Sequence, residues 1–523
     1  MYLRILQPSN MSVRVRFAPS PTGPLHMGGV RTALYNYLFA KANGGKFLLR
    51  IEDTDRTRFV EGAEEYIIEA LNWCGLTIDE SDKEGGTHGP YKQSLRSDLY
   101  KKAVAELLEK GNAYLAFDTP DELNALRKEA ESRKEVFQYD SRTRGVCRNE
   151  LSMTAEEVET LLANNTPHVI RFRTPDSAED VVFTDEIRGE VSISSGVVDD
   201  KVLMKMDGLP TYHLANVVDD HHMKISHVIR GEEWLPSAPL HILLYRAFGW
   251  DAPKFAHLPL ILKPEGNGKL SKRDGDAGGF PVFPIEWNDP KTGNVSSGYR
   301  ENDYLPEAFI NMLLMLGWNP GDDREKFTLE EAVDCFSLER IVKSGARFSP
   351  DKAKWFNELY LREKPHSELA AELCSIAAEK GNDLSIDDAQ KIIGMMLERV
   401  SFLSDIFESN WLFETPAKDE FNLKVVKKKW KDETASYLEE LSEALEGIDD
   451  FKADNIEAEF MGFIEARELG FGQVLLPFRI ALTGSGGGPS MIEFAEFLGK
   501  EATMARLKKG IETVAEIKAE LNN

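Results

Sequence analysis

Val13-Arg-Val-Arg-Phe-Ala-Pro-Ser-Pro-Thr-Gly-Pro-Leu-His-Met-Gly-Gly29 opens as an alternating strand, breaks into a Pro/Gly loop and enters a helix. A chain that turns this way leaves unpaired backbone N–H groups at the helix start, which is where an anion binds. His26 can donate to a phosphate oxygen, while Gly28 and Gly29 let a nucleotide approach the backbone closely. Far downstream stands Lys269-Leu-Ser-Lys-Arg273, preceded by the flexible Glu265-Gly-Asn-Gly268. Lys269, Lys272 and Arg273 on such a loop can close over a polyphosphate as charge builds up in a transition state. The two stretches together point to ATP attacked at its α-phosphate, and they require His26 and Lys272 to converge on one triphosphate.

Outward from the first stretch, residues 13–93 read as β–α–β–α. The first helix carries Val30, Ala33, Leu34, Tyr37 and Leu38 on one apolar face and stops at Gly44-Gly45. Phe47-Leu-Leu-Arg-Ile51 reads as a short buried strand that delivers Glu52, Asp53 and Asp55 at its C-terminal end, the ligand crevice of an open α/β sheet. Residues 61–72 are again helical. The stretch 96–206 changes character, with two charged helical pieces and then strands at 169–173 and 191–195, and reads as an inserted α/β domain. Residues 212–262 return to the nucleotide-binding half, with strands at 228–230 and 258–262 around a helix near His241. Residues 275–299 are rich in Gly, Pro and Asn and read as a surface loop. From Leu305 the pattern is helical almost throughout. Thr328-x-x-Glu331, Ser385-x-x-Asp388 and Ser490-x-x-Glu493 predict helix starts, as does Ser349-Pro350.

The chain has 523 residues, 42% hydrophobic and 29% charged, which suits several packed domains. No run approaches the roughly 18 apolar residues of a membrane span, and no cleavable signal stands at the start. Residues 1–10 precede a second Met at position 11 and read as an extension outside the fold. Cys74, Cys147, Cys335 and Cys374 are scattered, without a C-x-x-C pair, which predicts reduced thiols in a cytoplasmic protein. The net charge of −25 does not exclude RNA, because binding depends on local phosphate neutralisation. Lys424 with Lys427-Lys-Lys-Trp-Lys431 forms one basic cluster. Arg142, Arg144, Arg148, Arg171 and Arg173 form another, with a solvated face as the alternative for each.

Taken in order, Phe17-Ala-Pro-Ser-Pro-Thr-Gly23, His26-Met-Gly-Gly29, Leu49-Arg-Ile-Glu-Asp-Thr-Asp55, Tyr212-His-Leu-Ala-Asn-Val-Val-Asp-Asp220, Val228-Ile-Arg-Gly-Glu-Glu-Trp234 and Lys269-Leu-Ser-Lys-Arg273 resemble class I aminoacyl-tRNA synthetases, and among them the bacterial glutamyl-tRNA synthetases. The histidine turn stands for the HIGH motif, with Gly29 replacing its second His, and the lysine loop stands for KMSKS. Pro477-Phe-Arg-Ile-Ala-Leu-Thr-Gly484 extends the similarity to the C-terminus. The resemblance implies an α/β fold: a Rossmann-like parallel-sheet catalytic domain (11–95 and 207–265), an inserted acceptor-binding domain (96–206), a stem-contact domain with the lysine loop (266–365), and an all-α anticodon-binding region (366–523). The implied activity is ATP-dependent formation of glutamyl-adenylate and transfer to the 3′-terminal adenosine of tRNA(Glu). L-glutamate, ATP with Mg²⁺ on its phosphates, and tRNA are the expected partners; a monomer, no membrane and no zinc are also expected. Relatives that hold zinc in the insert use closely spaced cysteines, where this chain reads Tyr114-Leu-Ala-Phe-Asp-Thr-Pro120.

Glutamate is a dianion with one ammonium, so its pocket needs two cationic forks and a carboxylate. Arg16 and Arg230 leave strand ends as the forks, Glu52 suits the ammonium, and Tyr212 and Asn216 share a helical face. The family assigns substrate contacts to the positions of Arg16, Ala18, Ser20, Glu52, Tyr212, Asn216 and Arg230. It assigns ATP contacts to those of His26, Gly28, Gly29, Glu233, Trp234, Leu262, Lys269 and Lys272. For Trp234 plain core packing is the alternative. Lys272, with Lys269 and Arg273, is the leading catalytic candidate. Arg399, in Leu397-Glu-Arg-Val-Ser-Phe-Leu403, matches an arginine that reads the anticodon, with a helix-surface arginine as the alternative.

Other readings are weaker. Asp53-Thr-Asp55 resembles a metal-binding D-x-D, and Asp219-Asp-His-His222 a metal cluster, but adjacent side chains rarely converge on one ion. Thr483-Gly-Ser-Gly-Gly-Gly-Pro489 lacks the spacing of a dinucleotide fingerprint or P-loop and reads as a turn before a capped helix. A nucleotidyltransferase acting on a small molecule without RNA is the alternative enzyme class. A truncated tRNA-base-modifying relative would lack the helical C-terminal third. A non-catalytic RNA-binding protein would not need both ATP motifs.

Overall fold

The computed structural model describes residues 12–522, so the extension at 1–10 lies outside the described residues. The chain divides into two compact units, Met1–Phe356 and Asn357–Asn523. In the first unit, β1 (Arg14–Phe17) pairs in parallel with β2 (Lys46–Leu49), Arg16 opposite Leu48. Between them runs α1 (Met27–Ala42), which ends at Asn43 and at Gly44 with φ +62°, the left-handed stop that Gly44-Gly45 predicts. The expected single apolar face understates this helix. Arg31, Tyr35 and Asn36 point elsewhere yet are buried too. Their polar ends are satisfied by carbonyls, with Tyr35 donating to Leu314 at 3.0 Å and Asn36 to Ile229 at 3.0 Å. Burial on all sides is possible because the Tyr35 hydroxyl, the Asn36 amide nitrogen and both terminal nitrogens of Arg31 donate to carbonyls, although Arg31 Nε and Asn36 Oδ1 are buried without a partner among the described residues. α2 (Ala63–Trp73) follows β2.

The stretch read as an insert is richer than its sequence suggests. It contains α3 (Ser97–Glu109), β3 (Ala113–Ala116), α4 (Pro120–Ser132), α5 (Ala155–Ala163), β4 (Val169–Phe172), β5 (Asp180–Asp185), β6 (Gly189–Ser194) and β7 (Val202–Met204). β3, β4 and β7 form an antiparallel sheet of their own. β5 and β6 do not join it. They form a hairpin whose β5 pairs in parallel with a strand of the nucleotide-binding half, β9 (Lys254–Leu258), which lies beside β8 (His227–Gly231). The strand order is therefore β6-β5-β9-β8. β8 begins next to β1, where Ser226 N–H donates to Arg14 O at 2.9 Å. The C-terminal ends of β1, β2, β8 and β9 consequently open on the same side, where an α/β sheet takes its ligand. α6 (Tyr212–His222) leads into β8, and α7 (Ala238–Phe248) separates it from β9.

Three expectations need correction. The strand at 258–262 is two strands, because Pro259 ends β9 and β10 (Ile261–Leu262) pairs instead with Ala346–Arg347. The stretch 275–299 is not a surface loop. After α8 (Lys272–Gly278) it packs Val282, Phe283, Ile285, Trp287 and Tyr299 into the interior, and Val282 O accepts from Met27 N–H at 2.9 Å at the start of α1. Asn288, Gly293 and Asn294 belong to a short hairpin of β11 (Trp287–Asn288) and β12 (Val295–Ser296), while Pro284 is buried beside Phe283. The basic cluster in the insert is mostly consumed internally. Arg144 and Arg171 are buried, Arg144 pairing with Asp200 and Asp176 while Arg171 lies 3.9 Å from the Tyr139 ring centroid and donates to Asp200 O. Arg142 pairs with Asp140 and Arg173 with Asp176.

The second unit is helical, with helices at His366–Glu379, Ile386–Met396, Thr434–Glu446, Ala453–Ala466, Phe471–Thr483, Met491–Leu498 and Lys500–Asn522. The Ser385 and Ser490 side chains accept from Asp388 N–H and Glu493 N–H, and in the first unit Thr328 forms a full capping box with Glu331, as the sequence predicts. Gly484 (φ +68°) closes the helix before the turn read at 483–489.

Candidate active site

α1 begins at His26, whose extended backbone is non-helical and whose Nδ1 accepts from Gly28 N–H at 2.9 Å. That bond assigns the ring proton to Nε2, which is left to donate to a ligand. Burial, reinforced by the charge of Lys269, brings the His26 pKa down to about 4. A neutral imidazole at a helix N-terminus is therefore the form present at neutral pH. An NMR spectrum of ¹⁵N-histidine-labelled protein at pH 6 is expected to show His26 neutral with its proton on Nε2; an imidazolium there would contradict the cap.

A cavity of about 510 Å³ opens at the strand ends. Arg16, Ala18 and Ser20 line it from β1 and the following loop, Glu52 from the end of β2, Tyr212 and Asn216 from α6, and Arg230 from β8. On its other side lie His26, Gly28, Gly29, Glu233, Trp234 and Lys269. A second cavity of about 740 Å³ lies beneath the histidine turn, and there His26, Ser20, Thr22, Gly29 and Glu233 meet Lys272. His26 and Lys272 thus share a cavity, as the two-motif reading requires. Two predicted residues are placed differently. Leu262 has turned its side chain against Gly345, and its neighbours Leu260 and Ile261 line the site instead. Arg273 is exposed and lines neither cavity.

The lysine loop is spread over both cavities. Lys269 Nζ is 3.0 Å from Glu233 Oε1, while Lys272 Nζ donates to Ser296 Oγ on β12 at 2.7 Å and lies 5.9 Å from the Phe283 ring centroid. Trp234 is not core. It is 38% exposed and lies over the Tyr212 ring at a centroid distance of 4.2 Å, presenting a face to the cavity.

Beneath the cavity sits an ion network that the sequence reading only half identified. Arg16 donates to both carboxylate oxygens of Asp220 at 2.9 and 3.2 Å. Arg50, fully buried, bridges Asp220 (2.6 Å) and Glu52 (2.9 Å), and Asn216 Nδ2 reaches Glu52 at 3.5 Å. Burial opposes ionisation of Asp220, but Arg16 and Arg50 outweigh it and hold that carboxyl below its usual range. Asp220, seen in sequence as part of a metal-like cluster, is a pairing anion; its neighbour Asp219 pairs with Arg96 and accepts from Gln93 and Tyr100. Asp220→Asn is expected to destabilise the fold by about 3–5 kcal/mol, because it strands two buried guanidinium groups. Urea unfolding measures this, and a loss below about 1 kcal/mol would show that the network does not bear on the fold.

Arg230 differs from Arg16 in its company. Nearly fully buried, it donates from Nε to His257 at 3.1 Å and from Nη1 to Tyr212 OH and His241 Nδ1 at 3.3 Å each. Every one of these acceptors is uncharged. Burial accordingly pulls its pKa below the usual value. A buried cation without an anion beside it is costly unless a ligand supplies one.

Among the described residues, no three His, Cys, Asp or Glu side chains are grouped to hold a metal, and no helix is long and apolar enough to cross a membrane. Asp55 caps its own turn, accepting from Thr57 N–H, and Asp53 accepts from the distant Ser94 N–H.

Residues 12–355 match the family described as class I tRNA synthetases (E and Q), catalytic domain, and residues 365–511 match an anticodon-binding domain. The chain is 54% identical to a glutamate–tRNA ligase of Phocaeicola vulgatus over 510 residues, covering 97% of this chain and 100% of that one. It is 52% identical to one of Porphyromonas gingivalis, covering 97% and 99%. The crystal structure of a glutamate tRNA ligase from Elizabethkingia meningosepticum in complex with its amino acid superposes with a TM-score of 0.93 at 53% identity, covering 96% of this chain and 100% of that one.

Proposed function

The chain belongs to the class I tRNA synthetases of the E and Q family, and on that premise we propose a glutamate–tRNA ligase whose amino-acid selectivity rests on Arg230. The observation that carries the reading is a buried guanidinium surrounded by neutral acceptors, in the same cavity as the α1 N-terminus and Lys269. No feature favours a nucleotidyltransferase without RNA.

In this reading the side-chain carboxylate of glutamate meets Arg230 and Tyr212. Glu52, steadied by Arg50, takes the ammonium. Arg16, already paired with Asp220, offers a remaining edge to the α-carboxylate. The adenosine lies against Trp234, Leu260 and Ile261, and the phosphates run past His26 and the first N–H groups of α1 toward Lys269 and Lys272. Mg²⁺ accompanies the nucleotide, held by phosphate oxygens and water. The α-carboxylate then attacks the α-phosphate in line, pyrophosphate leaves, and the 2′-hydroxyl of the terminal adenosine of tRNA takes the acyl group from the adenylate. The protein contributes position and charge stabilisation, with no covalent intermediate. Within the insert, the β3-β4-β7 sheet is the candidate seat of the acceptor end.

The test is purified protein with radiolabelled glutamate, ATP and total tRNA. Acid-precipitable label that requires both ATP and tRNA is expected; ATP turnover without it would overturn the reading.

Arg399 is our candidate for reading the anticodon. It is exposed on the turn Leu397–Arg399, close enough for its charge to add to burial in lowering the Arg479 pKa. Two neighbouring guanidinium groups suit RNA. Arg399→Gln is expected to let the enzyme charge tRNA(Gln) as well. An unchanged charging ratio for the two purified tRNAs would place discrimination elsewhere.

A further inference from the structure

Three side chains on adjacent strands form a line across the sheet that ends on Arg230. Arg230 in β8 and His257 in β9 are register partners, and Asp185 at the end of β5 lies beside them, paired with Phe255. Asp185 Oδ1 accepts from the backbone N–H of Ile187 (3.0 Å) and Arg188 (2.9 Å). Its Oδ2 accepts from His257 N–H (3.1 Å) and stands 2.6 Å from His257 Nδ1. Burial works against that carboxylate, but His257 and the backbone donors keep it ionised. An ionised carboxylate at 2.6 Å requires the ring proton on Nδ1, which leaves Nε2 as an acceptor aimed at Arg230 Nε. On the other edge of Arg230, His241 Nδ1 accepts as well, and its Nε2 faces His213 Nδ1 at 3.1 Å. Burial lowers the pKa of all three histidines.

A carboxylate is the ordinary way to orient a buried arginine, but it also neutralises the charge. An imidazole locked in one tautomer orients the same N–H and leaves the charge intact. We propose that His257, its tautomer fixed by Asp185, is a positioning residue that aims Arg230 while reserving its positive charge for the substrate's side-chain carboxylate, and so sets the preference for the acid over the amide. This rests on the reading that Arg230 receives that carboxylate.

Two neutral, polar substitutions separate the roles of the ring nitrogens. In His257→Gln the side-chain oxygen can occupy the place of Nε2 and still accept from Arg230. In His257→Asn the amide reaches only the place of Nδ1, so the bond to Asp185 is kept and that to Arg230 is lost. With cognate tRNA present, His257→Asn is expected to raise the glutamate KM about tenfold or more, the scale of a lost hydrogen bond to a charged group. Its ATP KM and kcat should stay within about threefold. The glutamate-over-glutamine ratio in kcat/KM should fall with the glutamate KM, and His257→Gln should recover most of both losses. Equal defects in the two variants, or a loss shared by kcat and the ATP KM, would overturn the proposal. ¹⁵N-histidine NMR of the unsubstituted protein is an independent check: His257 protonated on Nδ1 supports it, and the Nε2–H tautomer overturns it. If Arg230→Gln leaves glutamate use unchanged, the underlying reading has failed; if only the His257 variants are silent, the positioning role alone has failed.

Discussion

Arg230→Gln is expected to raise the glutamate KM by two to three orders of magnitude while the ATP KM stays within about threefold. The size follows from the partners. Arg16 spends its charge on Asp220, whereas among the described residues the hydrogen-bond partners of Arg230 are imidazoles, a phenol and the Trp234 carbonyl at 3.4 Å. If the substrate carboxylate is the anion that completes this buried pair, as proposed, removing the cation costs about 2–5 kcal/mol. On the same reading, this geometry would refuse glutamine by charge alone. An amide can accept one hydrogen bond from the guanidinium but leaves its charge buried and unmatched, a penalty that isosteric fit cannot repay. The variant should therefore lose its preference between acid and amide as well as its affinity. Steady-state kinetics with both amino acids measures this, and a glutamate KM within about threefold of the original would remove Arg230 from substrate recognition.

The residues that share the candidate cavity were legible in the sequence where a chemical need coincides with a strand end. Arg16, Glu52 and Arg230 lie at or just past the C-terminal ends of short strands, and in a parallel sheet such positions converge whatever the distance between them in the chain. The helix caps were legible for a similar reason, since Ser or Thr with an acid three residues on states its own geometry. Residues whose partners are internal were not legible. Arg50 falls within the apolar run read at 47–51, just past the end of β2, and nothing local names its partners until Asp220 and Glu52 are seen beside it. His257 carries no local signal, because its meaning depends on which strands flank β9, and β5 arrives there from a stretch that reads as part of another domain. Composition misled at 275–299, where Gly and Pro suggested an exposed loop. Gly298 is there because a Cβ would strike the backbone of Ile285, so that glycine marks close packing, whereas Gly279 and Gly293 hold positive φ in open space.

Lys272→Ala is expected to slow adenylate formation by about two to three orders of magnitude, the scale of removing one preorganised charge or donor from a transition state, with glutamate binding nearly unchanged. The argument turns on where the two loop lysines rest. Lys269 already lines the cavity at the strand ends, held by Glu233, and in the proposed reading would act on the ground state as well as on the reaction. Lys272 lies beneath the histidine turn, its ammonium on the Ser296 hydroxyl. That single exposed hydrogen bond is worth about 1 kcal/mol, little beside the attraction of a triphosphate threading between His26 and the start of α8. Lys272 is thus poised to leave Ser296 for the phosphates when negative charge accumulates on the departing pyrophosphate, and its removal should fall on the rate rather than on binding. Pre-steady-state measurement of adenylate formation, with glutamate affinity measured separately, distinguishes the two. A Lys272→Ala enzyme that forms adenylate at the original rate would take the second motif out of the chemistry and leave Lys269 to act alone.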